Sequence, residues 1–130
     1  METKANQAKE VRIPGPDHPI AISRAEGRVR VMVAERIVAE STRALRLEEE
    51  GCPPVYYLPR DDADMSLLVR TKHYSYCPYK GDCTYYSIPL GESKSENAIW
   101  TYEDPYEAVA SIKEYLAFYP SRVDAIDLIA

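Results

Sequence analysis

Val29, Val31 and Val33 alternate with Arg28, Arg30 and Met32, the two-residue period of a strand with one buried face. Glu35-Arg36 then turns the chain into Ile37-Val38-Ala39, a second strand and hairpin partner. The pattern from Ser41 to Glu50 is ambiguous: Thr42-Arg43-Ala44-Leu45 could make one helical turn, which Gly51 would end. Pro53-Pro54-Val55-Tyr56-Tyr57-Leu58-Pro59 predicts a short strand at an edge or cut short, because proline cannot donate to a ladder. Asp61 or Asp62 is a candidate N-cap for a short helix through Met65, Leu67 and Leu68. Strands follow at about 71–77, 83–89 and 97–102. Asp104, Pro105 and Glu107 give the strongest helix start, close to a capping box, with Val109, Ile112 and Leu116 as its buried stripe. Residues 115–119 alternate again and stop at Pro120.

Residues 1–12 predict a loose polar lead-in, and the prolines of Ile13-Pro14-Gly15-Pro16-Asp17-His18-Pro19 hold the next stretch extended. Short strands at hairpin spacing with one or two short helices predict a single mainly β domain over 13–130. A chain of 130 residues supports one core and not two.

Charge narrows the partners. A net charge of -5 argues against a nucleic-acid binder, which needs a basic stripe. Arg24, Arg28, Arg30, Arg36, Arg43 and Arg46 interleave with Glu26, Glu35, Glu40 and Glu48 to Glu50, which describes a mixed, solvated surface. No run approaches the roughly 20 apolar residues of a membrane span. Met1 to Gln7 lacks a signal-peptide core, and three cysteines is an odd number; both predict free thiols in a reducing cytoplasm.

The chain has 11 Tyr against 1 Phe and 1 Trp. A buried tyrosine needs a partner for its hydroxyl, so this bias predicts polar seams or a half-buried cavity. The alternative is tyrosines at strand edges with their hydroxyls in water.

Cys77-Pro78-Tyr79-Lys80-Gly81-Asp82-Cys83 concentrates the chemistry. Taken as a hairpin loop over 78–82, it sets Cys77 opposite Cys83 and continues as Tyr76–Thr84, Ser75–Tyr85, Tyr74–Tyr86 and His73–Ser87. Alternation then sorts Tyr74, Tyr76, Tyr86 and Ile88 onto a core face. His73, Ser75, Cys77, Cys83, Tyr85 and Ser87 form a polar face, either solvent surface or a pocket lining. Opposed thiols lie within disulfide reach, though a reducing compartment opposes the bond. Cys-x5-Cys with a distant Cys52 does not supply a zinc site, and no metal or cofactor is expected. Cys77 is a candidate nucleophile; His73 is too far along the strand to serve it, whereas His18 could reach it through the fold. Lys80 at the loop tip is either a solvated charge or an anion clamp with Arg60. Ala98, Trp100 and Tyr102 share a strand face that is either core or a stacking platform.

The string Pro53 to Arg60, then Cys77-Pro78-Tyr79-Lys80-Gly81, Trp100-Thr101-Tyr102 and Ala117-Phe118-Tyr119-Pro120, resembles the bacterial and fungal domain-of-unknown-function family numbered 427. His18-Pro19-Ile20, Ser41 and Ala44-Leu45 fit the same pattern, so the likeness runs from about residue 18 to 123. The resemblance implies a β-tent-like fold, two small antiparallel sheets meeting at an angle, shared with methionine sulfoxide reductase B and the cereblon ligand domain. Proteins of that fold often carry a four-cysteine zinc, for which this chain lacks the cysteines. A nucleotidyltransferase-like label also attaches to the family. Here, however, no Gly-Ser precedes paired metal-binding aspartates, and Asp61-Asp62-Ala63-Asp64 reads as a helix N-terminus.

Three functions compete. The first is a module that binds a small anionic or planar ligand, with Tyr57, Tyr79, Trp100 and Tyr102 as an aromatic cage and Arg60 and Lys80 as anchors. The second is an enzyme, using Cys77 or acting on a nucleotide. The third is a structural or interaction domain without a ligand.

Overall fold

The computed structural model describes residues 9–90 and 95–130; residues 1–8 of the expected lead-in lie outside them. Ten strands run in order: β1 (Ile20–Arg24), β2 (Arg28–Val33), β3 (Arg36–Ser41), β4 (Leu45–Glu49), β5 (Val55–Leu58), β6 (Val69–Cys77), β7 (Gly81–Ser87), β8 (Ile99–Thr101), β9 (Leu116–Phe118) and β10 (Ala125–Ile129). They build two antiparallel sheets. The larger has the order β1-β4-β5-β9-β8-β7-β6 and the smaller β10-β2-β3. This is the mainly β architecture that the strand spacing implies, in the two antiparallel sheets that the resemblance implies, with seven strands in one and three in the other.

The valines that define β2 are its inner face: Val29, Val31 and Val33 are fully buried, and with Val38 they pack against Leu58, Ile99, Leu116 and Phe118 of the large sheet. A second core lies on the far side of the large sheet, where Leu47, Tyr57, Cys83, Tyr85, Tyr102 and Ala117 meet Val109 and Ile112. Both faces of the central strands are therefore buried.

Several expected elements take another form. Ser41–Glu50 does not make a helical turn. Leu45, Leu47 and Glu49 alternate as β4, paired with β1 and β5, because the sheet satisfies every backbone group that a single helical turn would leave open. β1 and β10, with no clear alternation of their own, are edge strands that pairing alone orders. The helix expected from Asp104 is a 3-10 segment, Glu107–Ile112, whose N-cap is Tyr106 and whose Val109 is non-helical. Val109 and Ile112 are buried as expected, but Leu116 has already joined β9. The short helix after Pro59 resolves into two 3-10 turns, Arg60–Asp62 and Met65–Leu67. Asp64 caps the second by accepting from Ser66, whereas Asp62 accepts from Ser41 and Arg43.

The β6–β7 hairpin is two residues tighter than its cysteine spacing predicts. Cys77 pairs with Gly81, Tyr76 with Asp82, Ser75 with Cys83 and Tyr74 with Thr84, so the loop is Pro78-Tyr79-Lys80. The Lys80 amide donates to the Cys77 carbonyl at 3.2 Å and closes it. Gly81 follows at φ +113, where a side chain would be strained. Cys77 and Cys83 are consequently diagonal rather than opposed.

The two faces are also reversed near the tip. Cys83 and Tyr85 are core, while Tyr74 is exposed. A three-stranded sheet cannot cover a seven-stranded one out to its edge, so the outer face of β6 is left to the N-terminal residues. Lys9 donates to Tyr74 and Asp82, and the Tyr76 hydroxyl donates to the Glu10 carbonyl. Residues 9–12 are thus docked on the hairpin. Tyr86 and Ile88 keep their expected core places.

Candidate functional site

Among the described residues Lys80, in the β6–β7 loop, is the one charged side chain that is buried. Alternation along β4 puts Leu45, Leu47 and Glu49 on one face, so the strand ends by aiming a carboxylate along the second core. Lys80 leaves the tight loop toward that carboxylate and is only 6% exposed. Its Nζ donates to Glu49 Oε1 at 2.6 Å, and its next contact is Cys77 Sγ at 3.9 Å. His18 Nε2 takes the other Glu49 oxygen at 2.7 Å, and its ring stacks on Tyr79 with centroids 4.2 Å apart. Burial pushes the Glu49 carboxyl up, but the bonds from Lys80 and His18 outweigh it and hold the group below the ordinary carboxylate range.

Behind this cluster the face is aromatic. Trp100 Nε1 donates to the Tyr57 hydroxyl at 3.2 Å, their rings meeting edge to face. Trp100 also packs on Tyr119 at 4.4 Å between centroids, and Tyr85 bonds Ser75 and meets the His73 ring. Burial drives the Tyr57, Tyr85 and Tyr102 hydroxyls well above the usual tyrosine range, and raises the Cys83 thiol as well. These groups stay protonated at neutral pH and act as neutral hydrogen-bonding partners. The excess of tyrosine over phenylalanine supplies this polar seam, as Tyr57, Tyr85 and Tyr102 are almost fully buried.

The structure brings Cys77, Tyr79 and Lys80 together at the loop and ranges Tyr57, Trp100 and Tyr102 along the same sheet face. Arg60 lies elsewhere. Its guanidinium donates to the Tyr86 hydroxyl, the Thr101 hydroxyl and the Glu114 carbonyl, on the opposite face of β7 and β8 from Tyr85 and Trp100. Lys80 is not a solvated loop charge. It is a buried ammonium answered by Glu49, and the two expected anchors therefore do not form one clamp. The partner that residue reading missed is Glu49, hidden in a run of three glutamates. Its signal was parity, the third inward position after Leu45 and Leu47.

A groove opens at the end of the large sheet where β5 begins and β9 ends. Pro54, Val55, Tyr56, Trp100, Phe118 and Pro120 line one side and Ala125, Ile126 and Leu128 of β10 the other, enclosing about 400 Å3. Asp124 is the one charged residue in its lining. Cys52, Cys77 and Cys83 are all free thiols. Among the described residues no cluster of His, Cys, Asp and Glu is arranged to hold a metal ion, and no helix is long and apolar enough to cross a membrane.

The fold and this site define a two-sheet β domain with a buried Lys–Glu–His cluster beside an aromatic wall. The chain belongs to the family described as Domain of unknown function (DUF427), labelled NTP_transf_9, whose model matches residues 21–128. No curated protein matches it.

Proposed function

We propose that this protein binds a small, uncharged planar molecule in the groove between β10 and the near face of the large sheet. The observation that carries this reading is the groove itself. Its volume of about 400 Å3 is ligand-sized, and its walls are aromatic and aliphatic, with the Asp124 carboxylate already accepting from the Ala34 amide. The anionic ligand expected from Arg60 and Lys80 loses its support, because Glu49 neutralises Lys80 and Arg60 faces away. A flat ring can stack against Tyr56, Phe118 and the prolines.

Trp100 is the sole tryptophan and borders the groove, so its fluorescence responds to a change there. Titration with a panel of neutral aromatic heterocycles should change the emission saturably and raise the melting temperature together. Leu128 is exposed on the far wall, so Leu128→Arg should remove both responses while leaving the fold intact. Thermal shifts without any change in Trp100 emission, or binding unaffected by Leu128→Arg, would place the ligand elsewhere.

A further inference from the structure

The contact between Cys77 and Lys80 does not depend on the groove reading. We propose that Cys77 and Lys80 form a reversible sulfur–nitrogen bridge when the protein meets a hydroperoxide, making the loop a site of oxidative modification. The geometry points to this pair because Lys80 Nζ is already 3.9 Å from Cys77 Sγ, in a loop closed by its own backbone bond. A sulfenic acid formed on a thiol reacts with whichever nucleophile is held against it, thiol or nitrogen. Cys83 would be the obvious partner had the two thiols been opposed. The register instead makes them diagonal, with Cys77 against Gly81 and Cys83 against Ser75. Diagonal strand positions lie about 7–8 Å apart, beyond what a disulfide spans without backbone movement. Cys77 is also half-buried and reachable by a small oxidant, whereas Cys83 is only 1% exposed.

The steps balance. The Cys77 thiol is oxidised by the hydroperoxide to the sulfenic acid, and the hydroperoxide is reduced to an alcohol, or to water for hydrogen peroxide. Lys80 passes one proton to Glu49, its partner at 2.6 Å, and its amine attacks the sulfur. The S–OH bond breaks as the S–N bond forms, and hydroxide leaves as water with the second amine proton. The product has two hydrogens fewer than the reduced protein. It also removes the positive charge of Lys80, leaving Glu49 protonated between His18 and a neutral bridge. A small thiol attacks the sulfur and gives its proton to the departing Lys80 amine, leaving a mixed disulfide on Cys77. A second small thiol releases the Cys77 thiol and a small disulfide, and Glu49 returns its proton to Lys80.

The test treats the reduced full chain with one equivalent of hydrogen peroxide, alkylates the remaining thiols, and maps peptides after trypsin. The expected product lacks cleavage after Lys80, carries alkylated Cys83 and unalkylated Cys77, and regains cleavage after reduction. Lys80→Arg keeps a cation for Glu49 but should give instead a Cys77 sulfenic acid that dimedone traps. Cys83→Ala should still form the bridge. Cleavage after Lys80 with Cys77 and Cys83 both protected would show a disulfide and overturn the proposal. So would a Cys77 that is oxidised yet never linked, or one that stays reduced while the exposed Cys52 reacts.

Discussion

Lys80 carries the largest single-residue consequence. A lysine at the tip of a Pro/Gly loop reads as solvated, and its removal should then cost nothing. In the fold its ammonium is buried against a carboxylate that is itself mostly buried. Breaking such a pair strands the partner's charge, so Lys80→Met should destabilise the protein by about 3 kcal/mol or more in urea unfolding. Replacing both members, Lys80→Met with Glu49→Leu, should recover most of that loss, because the stranded carboxylate goes with its partner. A single-variant loss under about 1 kcal/mol would show instead that water reaches the pair. Tyr57 illustrates the opposite case, where one of the two environments that composition left open is the one found. An over-used tyrosine ends up buried with its hydroxyl accepting from Trp100.

Among the elements, the β2–β3 hairpin is locally the least suited to its own turn. Ala34 and Glu35 both adopt positive φ, 51 and 64, the geometry that matches strand twist in a two-residue loop but favours Asn-Gly. Left-handed backbone costs an ordinary residue about 1 kcal/mol or more. Replacing Ala34-Glu35 with Asn-Gly should therefore raise stability by roughly 1 kcal/mol, seen as a higher urea midpoint with an unchanged slope. A lower midpoint would mean that the bond from the Ala34 amide to Asp124 depends on the native pair. The same element shows what periodicity captures well: Val29, Val31 and Val33 announced both the strand and its buried face. The segment after Asp104 shows where it misleads. A good cap and an apolar stripe predicted a helix, but the Tyr106 amide donates to the Lys80 carbonyl and the Glu114 amide to the Tyr102 carbonyl. These tertiary bonds hold the chain to one 3-10 segment.

At the scale of the whole molecule, carboxylates tie distant segments together. Bonds from Lys9 and Tyr74 hold the Asp82 carboxyl below its ordinary range, those from Arg43 and Ser41 do so for Asp62, and that from Arg70 for Glu103. At Glu49 burial opposes the shift, but the bonds from Lys80 and His18 prevail. A depressed folded pKa contributes stability that is complete above the ordinary carboxylate range and is lost as pH falls through the folded value. The melting temperature should thus stay level from neutral pH down to about 5 and fall steeply below about 4. The Glu49→Gln variant should show a shallower acid limb. An acid limb identical to that of the parent would remove Glu49 from the account.

The residues by themselves determined the mainly β class, the valine and aromatic strands and the family likeness, because these depend on local alternation and short motifs. Tertiary structure alone decided the rest. Hairpin register turned on a Lys80–Cys77 backbone bond that shortened the loop by two residues, and it separated two thiols that spacing had placed opposite each other. Arg60 and Lys80 went to opposite faces because the chain crosses the large sheet between them. Glu49 found Lys80 across 31 positions of sequence. A contact that distant is set by which strands pair and how far each sheet reaches, and no local pattern of residues encodes it.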